Sequence, residues 1–202
     1  MLTKIAVFVS GGGTNLQALI DAQKAGIIKS GNIELVVSSQ KNAYALERAK
    51  NAGIKTAVVS RKECDSLTDF ENKICTHLNK HGIELIVLAG FMSILSENFT
   101  KKYANRIINV HPSLIPSFCG QGFYGLKVHE EALKYGVKVT GATVHYVNEV
   151  PDGGKIIMQK AVSILKNDTP ETLQKRVMRQ AEWKILPLAT EKVAKLIKDN
   201  KQ

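Results

Sequence analysis

Asn109, His111 and Asp152 are the side chains of this 202-residue sequence whose types and spacing best fit a reaction. Asn109 and His111 stand two apart in Ile-Ile-Asn-Val-His-Pro. Alternate residues of an extended chain face the same side, so the amide and the imidazole project together. Pro112 biases His111 away from helical geometry. At the carboxyl end of a parallel strand the pair would sit in the crevice where such sheets hold ligands. An amide NH₂ can donate to a developing oxyanion, and so can a protonated imidazole. A carboxylate beside the ring favours its charged form and fixes its tautomer. Asp152, in Val-Pro-Asp-Gly-Gly, is the best candidate, at a sharp turn between two strands.

A second cluster suits anion binding. Ser10-Gly11-Gly12-Gly13-Thr14-Asn15 lies between an apolar run and a helical pattern. Unpaired N–H groups and the helix dipole stabilise an anion at such a turn, and glycines let the backbone come close. The Walker lysine is missing, since the loop closes Gly13-Thr14-Asn15. A dinucleotide fingerprint would need glycine where Leu16 stands and an acid near the end of the second strand. That strand ends Ser38-Ser39-Gln40, and Glu34 falls at its start. A terminal monophosphate fits the loop better.

The remaining chemistry-bearing residues signal less. There is no Gly-x-Ser-x-Gly elbow, and Cys119 lies in a loop without an evident base. His77 and His81 have a metal-compatible spacing on a helix, but without a glutamate motif they read as surface residues, and no metal is expected. His129 is placed at the opening of a helix and His145 in a strand two residues after Thr143.

The elements that must carry these groups follow from apolar periodicity. Strands are expected at Ile5–Val9, Ile33–Val37, Thr56–Val59, Glu84–Leu88 and Arg106–Val110. Helices are expected at Thr14–Ala25, through Tyr44, Leu46 and Ala49, at Leu67–Asn79, and near Ser96–Tyr103. A long loop punctuated by Pro112, Pro116, Gly120, Gly122 and Gly125 follows. Two longer strands, Lys138–Val147 and Lys155–Ile164, and a basic amphipathic helix from Pro170 complete the chain. Apolar strands alternating with helices imply parallel pairing. The expected fold is a doubly wound α/β one: a mostly parallel twisted sheet with helices on both faces, residues 1–202 as a single domain.

Charge is the unusual part of the composition: 28 Lys and Arg against 18 Asp and Glu give +10. Six of those ten charges accumulate from Lys155 onward, the pattern of a solvated helix face. A nucleic-acid module is disfavoured, because neither an aromatic stacking motif nor a recognition helix is evident. Cys64, Cys75 and Cys119 form neither a disulfide framework nor a zinc motif. Without a signal-like or membrane-spanning apolar stretch, a reduced cytoplasmic protein is expected.

Four segments occurring in order carry a family resemblance: Ser-Gly-Gly-Gly-Thr-Asn-Leu-Gln at 10–17, Leu-Ala-Gly-Phe-Met at 88–92, Asn-Val-His-Pro-Ser-Leu-Ile-Pro-Ser-Phe at 109–118 and Asp-Gly-Gly at 152–154. Together they resemble the folate-dependent formyltransferases, and within them the phosphoribosylglycinamide formyltransferases of purine synthesis. The resemblance spans essentially the whole chain. It implies a Rossmann-like formyltransferase fold, with residues 1–105 binding the phosphorylated substrate and 106–202 carrying catalysis and folate. It implies transfer of the formyl group of 10-formyltetrahydrofolate, a cosubstrate, to the amine of glycinamide ribonucleotide. These two small molecules would be the partners, with no nucleic acid, membrane or metal.

The resemblance also assigns residues. Gly11, Gly12, Gly13, Thr14 and Asn15 would hold the phosphate, Arg61 would reach it, and Glu182 would contact the ribose hydroxyls. Asn109 and protonated His111 would stabilise the oxyanion, and Asp152 would orient the imidazole and move protons. Thr143 would support the cluster. The folate would lie across Leu88, Met92, Ser93, Ile94 and Leu95 and against Asn109 and Asp152. Ser93 departs from the basic residue that relatives often carry there. The rival readings are another 10-formyltetrahydrofolate enzyme, whether a deformylase or a different amine formyltransferase, and more remotely a nucleotide-binding oxidoreductase. The first two carry an additional domain, for which this sequence is short.

Overall fold

A computed structural model describes residues 1–201. The apolar runs form seven strands of one sheet: β1 (Thr3–Val9), β2 (Gly31–Ser38), β3 (Lys55–Val58), β4 (Leu85–Leu88), β5 (Ile107–His111), β6 (Val139–Tyr146) and β7 (Ile156–Ser163). Their spatial order is β3-β2-β1-β4-β5-β6-β7. The first five pair in parallel. β6 and β7 add antiparallel strands at one edge. The doubly wound, mostly parallel sheet is therefore as the sequence implies, with strand ends moved by one or two residues.

Helices α1 (Thr14–Lys24), α2 (Tyr44–Asn51), α3 (Leu67–His81), α4 (Glu97–Lys102), α5 (Leu126–Tyr135), α6 (Pro170–Val177) and α7 (Trp183–Asp199) surround the sheet. Alternation along β1 explains why two faces need cover. Ile5, Val7 and Val9 pack in one cluster with Leu16 and Leu19 of α1, Ala45 of α2, Leu173 of α6 and Leu186 of α7. Ala6 and Phe8 enter a second cluster with Phe70 and Ile74 of α3 and Phe99 of α4. Both faces of the central strand are buried, which is why its residues read as a continuous apolar run.

One expectation is corrected. The chain from Pro170 is not one helix, because a π-helical turn at Met178–Glu182 separates α6 from α7. Periodicity cannot signal one wide turn in a run that stays amphipathic on either side. His129 is the fourth residue of α5, in its first turn, and is fully buried.

Topology selects the functional edge. The chain winds outward from β1 through β2 to β3, then returns to β4 on the other side of β1. Loops leaving the carboxyl ends of β1 and β4 therefore diverge and leave a crevice between them. Among the described residues, no helix is long and apolar enough to cross a membrane.

Candidate active site

A cleft of about 860 Å³ opens at this switch point, with walls from Thr14 and Asn15, Gly90–Ile94, Asn109–Pro112, Gly120–Gly125, Pro151–Asp152, and Gln174, Met178 and Glu182. Its floor is set by strand register. Antiparallel pairing puts Asn109 opposite His145 and His111 opposite Thr143. All four side chains share one face, since each pair differs by two residues along its strand.

The imidazole of His145 donates from Nδ1 to the Tyr146 carbonyl at 2.8 Å. Its Nε2 is then free to accept from Asn109 Nδ2 at 3.2 Å. This bond fixes the amide with its NH₂ toward the cluster and leaves one N–H of Asn109 uncommitted. His111 Nε2 donates to the Phe118 carbonyl at 2.8 Å, and its Nδ1 faces Asp152 Oδ2 at 3.4 Å. Asp152 Oδ1 lies 3.5 Å from His145 Nε2, and Gly120 N–H donates to Oδ2 at 2.9 Å. The one carboxylate thus faces both imidazoles.

The turn between β6 and β7 delivers Asp152 to this point. Asp152 takes a left-handed backbone, φ 56°, and two glycines follow. A Cβ on Gly154 would fall 1.8 Å from the Tyr146 carbonyl oxygen, so the close return of the chain excludes any side chain there.

Burial and charge set the protonation states. Burial pushes the Asp152 carboxyl up, but the His145 and His111 rings that face it and the Gly120 N–H outweigh it and hold the carboxyl below its ordinary range. Burial drives the His111 pKa down, against the pull of Asp152 and the Phe118 carbonyl. Burial thus works against the charged form of the imidazole, whose side chain is only 5% exposed. His129, lining the same cleft, is driven down to about 4 by burial and by His111. Neither of its ring nitrogens has a hydrogen-bond partner among the described residues.

Thr14 and Asn15, directly after the glycine loop, line the other part of the cleft. Gly13 caps α1 with φ 71°, and a Cβ there would lie 2.6 Å from Ala45 Cβ, so both conformation and packing of α2 require glycine. Asn15 Nδ2 donates to Glu182 Oε2 at 2.7 Å, joining this loop to the π-helical turn 167 residues later. Burial raises the Glu182 carboxyl, with Asn15 partly opposing. Asn15 Oδ1 is buried and unpartnered among the described residues.

Thr14, Asn15, Met92, Ser93, Ile94, Asn109, His111, Asp152 and Glu182 all meet at the cleft. Gly11, Gly12 and Gly13 support the turn next to it without lining it. Arg61 is not brought to the cleft wall; it sits on a separate 3-10 turn and donates to the Cys64 carbonyl at 3.0 Å. Leu88 and Leu95 pack in or against the second core cluster, so their side chains are structural. Thr143, fully buried, donates to Ser113 O at 2.7 Å and accepts from Ile115 N–H at 3.1 Å, bracing the segment after His111. The Phe118 carbonyl that accepts from His111 and the Gly120 N–H that donates to Asp152, like the Asn109–His145 bond, had no signal in the sequence. They depend on where a long loop and a distant strand come to rest. His77 and His81 remain apart from this site, and among the described residues no group of three metal-ligating side chains converges.

A formyl transferase family model matches residues 3–190, a span holding every side chain of this cleft. The chain belongs to the formyl transferase family. This formyl transferase is 42% identical over 187 residues to the phosphoribosylglycinamide formyltransferase of Haemophilus influenzae, covering 93% of this chain and 85% of that one. It is 45% identical over 191 residues to the trifunctional purine biosynthetic protein adenosine-3 of Gallus gallus. There it covers 95% of this chain but spans only 18% of the relative's length. Among solved structures, glycinamide ribonucleotide transformylase 1 from Symbiobacterium toebii superposes with a TM-score of 0.89 at 39% identity, over 96% of this chain and 88% of that one.

Proposed function

We propose that this formyl transferase moves the formyl group of 10-formyltetrahydrofolate to the amine of glycinamide ribonucleotide, yielding formylglycinamide ribonucleotide and tetrahydrofolate in purine synthesis. The observation that carries the reading is the Asn109–His111–His145–Asp152 cluster at a cleft that Thr14 and Asn15 also line, at the helix N-terminus next to the glycine loop. The cluster suits an acyl-transfer oxyanion, the helix N-terminus a terminal phosphate.

In this reading the neutral amine attacks the formyl carbon and negative charge grows on the formyl oxygen. The uncommitted N–H of Asn109 donates to that oxygen, and His111 exchanges the Phe118 carbonyl for it. The attacking nitrogen gives up its proton to the gap between Asp152 and His111 Nδ1, where an ionised carboxylate faces a ring lone pair. His111 becomes an imidazolium as the oxyanion forms, so its charge arises when it is needed. The proton then passes to N10 of the folate as the carbon–nitrogen bond breaks.

The folate is assigned to the rim formed by Met92, Ser93 and Ile94. Met92 and Ile94 are 57% and 77% exposed, apolar cover suited to a flat aromatic group. Gly11–Asn15 and Glu182 are assigned to the phosphate and ribose. Arg61 is left without a role here, since its guanidinium turns to Cys64. Three free cysteines are consistent with a reducing, cytoplasmic setting.

The test is a formyl-transfer assay with 10-formyltetrahydrofolate, with and without glycinamide ribonucleotide. Ribonucleotide-dependent release of tetrahydrofolate is the expected result. Release at the same rate without the amine would indicate a hydrolase instead.

A further inference from the structure

A loop that binds an anion through its N–H groups must turn its carbonyls elsewhere. In this protein α2 takes two of them. The Gly11 carbonyl accepts from the Ala45 N–H at 3.1 Å. The Gly12 carbonyl accepts from Arg48 Nε at 2.8 Å. The peptide is planar and trans, so its C=O and N–H point in opposite directions. Holding the Gly11 and Gly12 carbonyls against α2 therefore aims the N–H groups of Gly12 and Gly13 the other way. Among the described residues, neither N–H donates to a backbone or side-chain acceptor.

Arg48 is itself held in place. Its Nη1 donates to Gln17 Oε1 of α1 at 3.1 Å, and its guanidinium lies 5.0 Å from the centre of the Tyr44 ring. One planar side chain thus ties the glycine turn to α1 and α2 at once. Such a tie matters most between glycines, because they have the widest backbone freedom and lose the most on ordering.

We propose that Arg48 is a positioning residue for the phosphate loop, one that presets the Gly12–Gly13 peptide for a phosphate monoester. The proposal rests on the glycine loop being the phosphate site of the reading above. Lysine would keep the charge at position 48, but it lacks the rigid fork that reaches Gly12 and Gln17 together.

The test compares Arg48→Met, Arg48→Lys and Gln17→Ala with the wild type, in steady-state kinetics and in calorimetric binding of inorganic phosphate. For Arg48→Met the ribonucleotide KM and the phosphate Kd should each rise about tenfold, with kcat and the folate KM within about twofold. Arg48→Lys should fall between the two, and Gln17→Ala should move the same constants by about two- to threefold. Gln17→Ala leaves the guanidinium in place, so it reports even if Arg48→Met does not fold.

Unchanged phosphate and ribonucleotide constants would overturn the proposal. So would full restoration by lysine, which would make charge alone sufficient, or a loss confined to kcat. Phosphate binding separates this proposal from the functional reading. A wild type that binds phosphate through an Arg48-dependent loop but formylates no ribonucleotide sinks the function and keeps the positioning role. A wild type that binds no phosphate overturns Arg48 as a phosphate-loop residue.

Discussion

Asp152 keeps one carboxylate between two imidazoles, 3.4 Å and 3.5 Å away, with a backbone N–H on one oxygen. Replacing it by asparagine removes the proton acceptor while preserving size, so Asp152→Asn should fold normally and lower kcat by about 10³-fold. Near-normal turnover in a folded variant would remove Asp152 from the proton path. His129 supplies a second prediction at this scale. Its folded pKa, about 4, lies below the ordinary imidazole value, so the unfolded chain binds the extra proton first. Its contribution is therefore fully present above about pH 6.5 and is lost as pH falls toward about 4. Across that window the wild type should lose about 2–3 kcal/mol of stability to this group. His129→Gln should flatten the slope in urea melts between pH 7 and pH 4. An unchanged slope would show that His129 is accessible to protons in the fold.

The element that brings substrate-side residues to the cleft is the α6–π-turn–α7 run, and it is anchored at its start. Thr169 caps α6, in a capping box with Thr172. Asp168, almost fully buried, accepts from both terminal nitrogens of Arg176 and from the Leu165 N–H. Arg176 holds its carboxyl down to about 2. Asp168→Ala would leave a guanidinium and an N–H without partners, at a cost of about 2 kcal/mol, or about 4–8 °C in Tm. Because Gln174, Met178 and Glu182 line the cleft downstream, the ribonucleotide KM should rise with it. A Tm drop with an unchanged KM would mean that α6 holds its place without this anchor. The wide turn itself matters to geometry, since π-helical turns re-aim the residues after them and Glu182 is its last residue.

At the scale of the whole molecule, the +10 charge meets two anionic candidates, a phosphate and the carboxylates of a folate tail. A positive field raises encounter rates and is screened by salt. The kcat/KM for the ribonucleotide should therefore fall by about threefold between 20 and 300 mM salt with kcat unchanged. A salt-independent kcat/KM would assign the charge to solubility alone. Gel shifts at low salt should show no binding of nucleic acid, whose affinity would otherwise be steep in salt.

Much of this molecule follows from local patterns. Buried parallel strands are apolar on both faces, so β1, β2, β4 and β5 could be read directly. A period of two put Asn109 beside His111, and three glycines between a strand and a helix marked an anion turn. These features need only residues close in sequence. The rest needed pairings between distant ones. Register between β5 and β6 decided that His145 would hold the Asn109 amide, and the β6–β7 return decided where Asp152 lands. Arg48 met Gly12, Asn15 met Glu182, and Arg61 turned away from the cleft for the same reason. Burial also opposes the pull of the neighbouring carboxylate on His111, lowering its pKa. The sequence by itself determined which chemical groups and which strands this protein has. Tertiary structure alone decided which groups touch and how they are charged, because hydrogen bonds and desolvation depend on neighbours that strand register and loop path bring from far along the chain.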